Sequence, residues 1–171
     1  MQEHIYTAKR KKIIGQTWTI WVYVAMQVWA TIALIIKQPY NYIGAIVLIS
    51  VLFGSLNAFA ISLFIRYYKH SVGKKFIITY NTLQYVDDKT GESTELINTE
   101  IEKVLLVETH FASRSPWPWY SHEYFMLMDA KGNRIIVTSY IMDLGDFWQD
   151  MLRARVSSDN IVREKKMYPW F

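Results

Sequence analysis

Cysteine is absent from the 171-residue sequence, and proline and glycine are scarce, with four and seven residues. Without cysteine, the chain can form neither disulfides nor thiolate metal sites. Glycine is too sparse for a loop that cradles phosphate, and no serine stands in a nucleophile motif. We therefore expect a protein that is not an enzyme and that carries no cofactor.

Two histidines, His110 and His122, flank one irregular stretch together with Glu108 and Glu123, which raises the question of a metal site. No two histidines have the four-residue spacing that places a pair of ligands on one helical face. A polar surface strand accounts for Glu108 and His110 equally well. The sequence therefore predicts no metal site, and a membrane-associated hydrolase or transferase that uses His110 or His122 is kept only as a further alternative.

Charged residues are absent from two long runs, residues 13–36 and 43–65. As helices, the runs extend about 36 and 34 Å, against a hydrocarbon core of about 30 Å, so each can span a membrane with some tilt. The first run is too long for the apolar region of a cleaved signal peptide. We expect transmembrane helices at 13–36 and 43–66, joined by an external loop at 37–42.

The charges are divided unevenly along the chain. Residues 1–66 carry six basic side chains and one acidic, whereas residues 67–171 carry thirteen and fourteen. The soluble part therefore has no basic stripe, and we expect no nucleic-acid partner. The residues before the first span and after the second are basic: Lys9, Arg10, Lys11, Lys12, Arg66, Lys69, Lys74 and Lys75. Because such residues favour the cytoplasmic side, we place both termini in the cytoplasm, at the bacterial cytoplasmic membrane.

Small and polar residues form stripes on both spans, and such residues let helices pack together in lipid. The second span has small side chains at four-residue steps, which are Ser50, Gly54, Ala58 and Ser62. The first span has a comparable stripe, which is Gln16, Tyr23, Gln27 and Ala30. We expect the stripes to face each other, with Asn57 hydrogen-bonded to Gln27. They either hold the two helices together or, in part, dock a helix of another membrane protein.

Short alternating runs from residue 76 onward predict antiparallel strands separated by turns. The expected strands are 76–80, 83–86, 94–97, 101–109, 124–128 and 134–138. Apolar residues then recur at helical spacing. These are Leu144, Phe147, Trp148, Met151 and Leu152. The sequence predicts an α+β fold, in which a two-helix transmembrane hairpin precedes a small antiparallel barrel or sheet that is capped by an amphipathic helix.

Three segments carry a resemblance to a known family: 76–88, 96–104 and 135–152. With two spans in front, this order resembles the bacterial pleckstrin-homology-like (PH-like) membrane proteins, including those of the YcxB-like type. The resemblance implies a membrane-tethered domain for binding or assembly. It does not imply phosphoinositide binding, because only Lys74 and Lys75 precede the first strand and acidic residues follow the first hairpin.

The spans and the resemblance together divide the chain. We expect a basic cytoplasmic N-terminus at 1–12, the transmembrane hairpin, a juxtamembrane linker at 67–75, a PH-like cytoplasmic domain at 76–156 and an aromatic-basic tail at 157–171.

Aromatic side chains are concentrated in one loop and in the tail, although loops usually shed large apolar groups. The loop residues of interest are Arg114, Trp117, Trp119 and Tyr120. Those of the tail are Lys165, Lys166, Tyr168, Trp170 and Phe171. Three alternatives stay open for the loop: contact with lipid headgroups, contact with a partner protein, or folding back onto the domain. For the tail the alternatives are the anionic leaflet, a partner's groove, or disorder.

These observations predict a non-catalytic integral membrane protein that acts as an assembly or scaffold subunit of a membrane complex. The expected partners are membrane lipids and either a membrane protein or a second copy of the chain. The alternative is a lipid sensor or handler, whose PH-like domain contacts anionic headgroups through the aromatic loop and the tail.

Overall fold

The computed structural model describes residues 3–37, 43–110, 118–154, 156–167 and 169–171. Helix α1 is Arg10–Lys37 and helix α2 is Ile43–Ser71. Both helices are long and apolar enough to cross a membrane. Only 11% and 17% of their most apolar windows are buried, whereas the core helix of a soluble protein is mostly buried. The two helices therefore form an exposed apolar hairpin. Residues 38–42 of the predicted loop lie outside the described part.

Eight strands, one further α-helix and two short 3-10 helices, Asn98–Glu100 and Ser158–Asn160, make up the other elements of the described chain. The strands are β1 (His4–Thr7), β2 (Lys74–Ile78), β3 (Thr82–Asp87), β4 (Ser93–Ile97), β5 (Ile101–Thr109), β6 (Tyr124–Asp129), β7 (Arg134–Thr138) and β8 (Ile161–Lys166). One sheet has the order β1-β2-β3-β4 and the other β7-β6-β5-β8. All of these neighbours are antiparallel except β5 and β8, which are parallel. Helix α3 is Leu144–Arg153.

The turn between β6 and β7 shows how local chemistry sets strand register. The side chain of Asp129 accepts hydrogen bonds from the backbone N–H groups of Lys131 (2.9 Å) and Asn133 (2.8 Å). Gly132 between them has φ = +84°, a conformation that a residue with a Cβ adopts only with strain. This turn brings the two strands into the antiparallel register that pairs them.

Helix α3 closes the open side of the two sheets. The ring of Phe147 stacks on that of Phe125 in β6, with centroids 3.9 Å apart and planes 3° from parallel. Met151 and Ala154 are buried in the same core. Full burial of a large apolar side chain such as Phe147 or Met151 contributes about 1.5–3 kcal/mol to the free energy of unfolding. The predicted α+β fold with a capping amphipathic helix is confirmed.

Strand β1 pairs with β2, although the whole helical hairpin lies between them in the chain. Tyr6 stands opposite Phe76, and Thr7 stands opposite Lys75. The hairpin is thus an insertion between two neighbouring strands of one sheet. It follows that α1 begins and α2 ends at the same end of the hairpin, beside the domain.

Strands β1 and β8 lie outside the segment that the sequence analysis assigned to the domain. β1 falls in the predicted basic N-terminus and is four residues long, too short for a clear alternation. β8 falls in the predicted tail, and four of its six residues are charged: Arg163, Glu164, Lys165 and Lys166. Its only described neighbour is β5, so charged side chains can point away from the core at this edge.

Candidate functional site

The described end of the aromatic loop contributes to a junction between the hairpin and the second sheet. We call this the aromatic junction, and it comprises Phe59, Tyr67, Trp119, Tyr124, Tyr140 and Phe171. Trp119 is only 1% exposed. Its indole Nε1 donates a hydrogen bond to the Met167 carbonyl (3.1 Å), and its ring meets Phe59 edge-on at 5.6 Å. The described end of the loop therefore packs inside the protein.

The C-terminal residues pack into the same junction. The hydroxyl of Tyr67 donates to the Pro169 carbonyl (2.8 Å), and that of Tyr124 donates to the Trp170 carbonyl (3.2 Å). The ring of Phe171 lies 5.1 Å from Tyr67 and 5.2 Å from Tyr124, both edge-on. Buried tyrosines commonly use the hydroxyl in this way while the ring packs. Residues 169–171 of the tail therefore contact both α2 and β6.

The other predicted loop and tail residues have varied positions. Tyr120 is half-buried, Lys165 is exposed, and Lys166 lies 3.5 Å from Glu164. Trp170 is 38% exposed, and its ring lies 5.5 Å from that of Phe59, at the open edge of the aromatic junction. Arg114, Trp117 and Tyr168 lie outside the described residues.

The predicted packing stripes of the hairpin are only partly brought together. Asn57 Nδ2 donates to Gln27 Oε1 at 2.6 Å, and Gly54 faces the same glutamine. Ala58, by contrast, is exposed. A step of four residues overshoots one helical turn by about 40°, so a stripe at this spacing rotates away from its partner. Ser50, Ser62, Tyr23 and Ala30 are half-buried.

Gln16 has a different role from the one that the stripe suggests. Its side-chain Nε2 donates to the Ser139 carbonyl (3.3 Å), and its backbone carbonyl accepts from the Ser121 hydroxyl (2.6 Å). Thr19 also reaches the domain, through a hydrogen bond of its hydroxyl to the Pro118 carbonyl (3.4 Å). The first turns of α1 are therefore attached to the domain, which corrects the assignment of Gln16 to helix–helix packing.

His122 is fully buried beside the aromatic junction. Its Nε2 lies 3.0 Å from the Tyr140 hydroxyl, and its ring meets Tyr67 edge-on at 5.0 Å. Burial lowers the pKa of His122 to about 4, so the imidazole is neutral at neutral pH. Within the described residues, no three histidine, cysteine or acidic side chains are grouped so as to hold a metal ion. The contacts give His122 a packing role.

Burial shifts the pKa of Glu123, the next residue, upward, whereas it shifts that of His122 downward. Burial raises the pKa of Glu123 to about 7, and the neighbouring carboxylates of Glu108 and Asp143 add to this rise. The folded state therefore holds a proton on Glu123 between about pH 4.5 and 7 that the unfolded state releases. The free energy of unfolding accordingly falls as pH rises through this interval.

We expect the Glu123→Gln substitution to remove this pH-dependent fall in the free energy of unfolding. The variant should exceed the wild type in unfolding free energy by about 2 kcal/mol above pH 7, and the two should converge near pH 5. The measurement is thermal melting of the full chain in nanodiscs at several pH values. Glu102→Gln, at an exposed position of β5, is the control and should follow the wild type. An unchanged pH slope in Glu123→Gln would contradict the prediction.

Four basic side chains that are scattered in the sequence meet at one cleft. We call it the basic cleft, and it is formed by Arg66 and Lys69 of α2, Lys74 of β2 and Arg134 of β7. The cleft has a volume of about 500 Å³, and Phe171 forms part of its wall. Sequence reasoning used three of these residues for membrane topology and had no local signal that joined Arg134 to them. Only the packing of β7 against the end of α2 brings Arg134 there.

Comparison with protein families agrees with this architecture. A family model described as PH domain matches residues 5–149, from β1 through both long helices and into α3. In the comparison with curated proteins, nothing matches. The predicted PH-like character is confirmed. The matched segment contains the inserted hairpin, strands β2 to β7, nearly all of β1 and most of the capping helix, whereas β8 lies beyond it. The chain belongs to the PH domain family.

Proposed function

We propose that this protein is a non-catalytic subunit that assembles with another protein in the bacterial cytoplasmic membrane. In this proposal α1 and α2 cross the membrane, and both termini and the PH-like domain lie in the cytoplasm. The exposed apolar surfaces of both helices support the insertion. The basic residues that flank the hairpin at its domain end support the orientation. PH-like domains are generally non-catalytic, which agrees with a binding role.

One observation carries the assembly role: among the described residues of α2, small side chains stand at exposed positions as well as beside α1. Gly54 and Asn57 face Gln27 of α1, whereas Ser55 and Ala58 are exposed on the other flank. Lipid provides no hydrophobic drive for helix association, so small residues that allow close backbone approach favour helix docking. The exposed flank is a suitable surface for a helix of a partner protein or of a second copy.

The junction with the domain makes the hairpin a rigid platform. Tyr67, Leu63 and Ala60 of α2 are buried against the second sheet and the tail. A partner helix bound to the exposed flank of α2 is thereby held at a fixed position relative to the PH-like domain. This arrangement fits a scaffold, which must hold two bound components in a defined geometry.

A lipid-handling role is the second candidate, and the basic cleft is the observation that favours it. The cleft lies where α2 meets the domain, and its cations suit anionic headgroups. The two roles use different surfaces, because Ser55 and Ala58 lie more than two helical turns before Arg66 in α2. Separate variants can therefore test them.

The assembly role is tested by enlarging the exposed flank. We expect a double variant, Ser55→Leu with Ala58→Leu, to reduce recovery of a stoichiometric membrane partner about tenfold or more, since the added side chains block close helix approach. The measurement is quantitative mass spectrometry of the tagged full chain, extracted from its native membrane into nanodiscs, with native mass spectrometry to count copies of the chain itself.

Ala25→Leu is the matched control, because Ala25 is an exposed small residue of α1 and receives the same added side chain. It should retain the partner at the wild-type level. A wild-type protein recovered as a single copy with lipid alone would overturn the assembly role. Equal recovery of the partner with the double variant and the wild type would exclude this flank as the docking surface.

A further inference from the structure

The start of α1 and the end of α2 enclose an apolar groove of about 370 Å³. We call it the hairpin groove, and its lining includes Thr17, Trp21, Phe64, Tyr68 and Val72. It shares no residue with the basic cleft. Its volume is within the range of pockets that bury a ligand or an anchoring side chain.

Aromatic rings form much of the groove wall and are held by contacts with each other. The ring of Phe64 meets that of Trp21 edge-on at 6.4 Å and lies 5.6 Å from that of Tyr68. The Thr17 hydroxyl donates to the Ile13 carbonyl (2.8 Å), so this buried polar group is already satisfied within its own helix. Such a wall favours an apolar occupant.

Basic side chains border the groove. Arg10 lines it, Lys9 and Lys11 adjoin Arg10 in the chain, and all three are exposed. Within the described residues, none of the three lies at ion-pair distance from a carboxylate, whereas Lys12 pairs with Asp143 at 3.0 Å. Acidic groups beside an apolar side chain are therefore the complement of this surface. We propose that the hairpin groove holds a large apolar side chain of a partner membrane protein, from an interfacial segment that has acidic residues beside that side chain.

The depth of the groove favours a protein segment over a lipid chain. Arg66 and Lys69 follow the charge-free run of α2 and so mark the end of the hydrocarbon core. The groove extends from Phe64 to Val72, about 12 Å along the helix axis, and lies mostly on the domain side of that boundary. An acyl chain would leave the hydrocarbon core to fill it. Side chains of a segment that lies on the interface are already at this level.

The residue types of the groove are those that commonly anchor protein interfaces. Tryptophan, tyrosine and arginine dominate binding hot spots, and Trp21, Tyr68 and Arg10 supply one of each. This inference rests on the proposed assembly role, to which it adds the chemistry of the partner. It also adds a second contact, at the domain end of the hairpin and away from Ser55 and Ala58.

The test places a photoreactive benzophenone side chain in place of Tyr68, which is 43% exposed, in the full chain in its native membrane. After irradiation, mass spectrometry determines the sequence of the attached peptide. We expect a segment of another membrane protein in which an aromatic or aliphatic side chain has an aspartate or glutamate within about one helical turn. Benzophenone in place of Tyr80, which is 44% exposed on the domain, is the matched control and should not give this adduct.

Two variants separate the apolar contribution from the charged one. Ile14→Trp fills the groove from an exposed position of its lining and should lower the adduct yield about tenfold or more, whereas Ile32→Trp, exposed elsewhere on α1, should leave it unchanged. Arg10→Glu should lower the yield about fivefold, and Lys11→Glu, outside the lining, about twofold or less. Replacing the acidic residue of the partner with lysine should restore the yield with Arg10→Glu.

Several outcomes would overturn this inference. A lipid adduct in place of Tyr68, an adduct with a second copy of this chain, an attached segment without acidic residues, or no adduct would each do so. Adduct yields unchanged by Ile14→Trp or by Arg10→Glu would also do so. If a stoichiometric partner is still recovered in a manner that depends on Ser55 and Ala58, these results leave the assembly role intact. A wild type recovered as a single copy with lipid alone would overturn both.

Discussion

Replacing Trp119 with alanine is expected to lower the free energy of unfolding by about 4 kcal/mol, the largest effect of any single substitution in the junction. The indole is 1% exposed, and the substitution removes its contact with Phe59 and its hydrogen bond to the Met167 carbonyl. Removal of the buried indole leaves a cavity, which adds to the cost of the lost contacts. Thermal melting of the full chain in nanodiscs should show a fall of about 10 °C or more.

Trp29→Ala is the matched control, because Trp29 belongs to α1 and is 73% exposed. The same atoms are removed there without a cavity, and the unfolding free energy should change little. Proteolysis of the C-terminal residues is an independent measurement. Because Trp119→Ala removes the hydrogen bond to the Met167 carbonyl, this variant should be cleaved faster within residues 167–171. Trp29→Ala should not be. Equal melting temperatures for the two variants would mean that the junction does not stabilise the fold.

Replacing Asp150 with alanine is expected to release strand β1 and to cost about 2–3 kcal/mol. Asp150 is 2% exposed in α3, and its carboxylate accepts hydrogen bonds from the Tyr6 hydroxyl and from His4 Nδ1 (3.1 Å). Alanine leaves the half-buried Tyr6 hydroxyl without this acceptor, and a polar group that loses its partner on burial lowers stability. Hydrogen exchange of residues 5–7 should accelerate far more than that of β6.

Two further variants distinguish a loss of these bonds from a general loss of stability. Asp159→Ala removes an exposed carboxylate and should leave exchange in β1 unchanged. Asp150→Asn keeps an acceptor oxygen and should recover part of the protection. If Asp150→Ala accelerates exchange equally in β1 and in β6, the carboxylate stabilises the domain as a whole and not the attachment of β1.

The elements predicted from sequence are those with local signals. The charge-free runs specify α1 and α2, and the alternation of apolar residues specifies β2 to β7. The hairpin β6–β7 was predicted at its correct turn because Gly132 supplies a positive φ there. The helix α3 was predicted from the spacing of Phe147 and Met151, which the structure buries in the core.

The features that sequence reasoning missed depend on contacts between distant segments. The end of α2 extends past the charge-free run to Ser71, because Tyr67 and Ser71 are buried against the domain even though Arg66 and Lys69 are charged. The burial of Trp119 depends on a carbonyl of the tail, 48 residues later. The basic cleft likewise requires Arg134 to reach α2 through the sheet. No periodicity within a short window contains such information.

The placement of the hairpin between β1 and β2 links completion of the first sheet to the proposed insertion of the two helices. With both helices across the bilayer, the two strands emerge on one side and can pair. With only one helix across, β1 and β2 would be separated by the membrane, and the first sheet would lack its edge strand. Completion of that sheet, with Tyr6 bound to Asp150, therefore requires that the two helices share one fate, both across the bilayer or neither. A molecule with one misinserted helix would leave the edge of β2 without its partner strand.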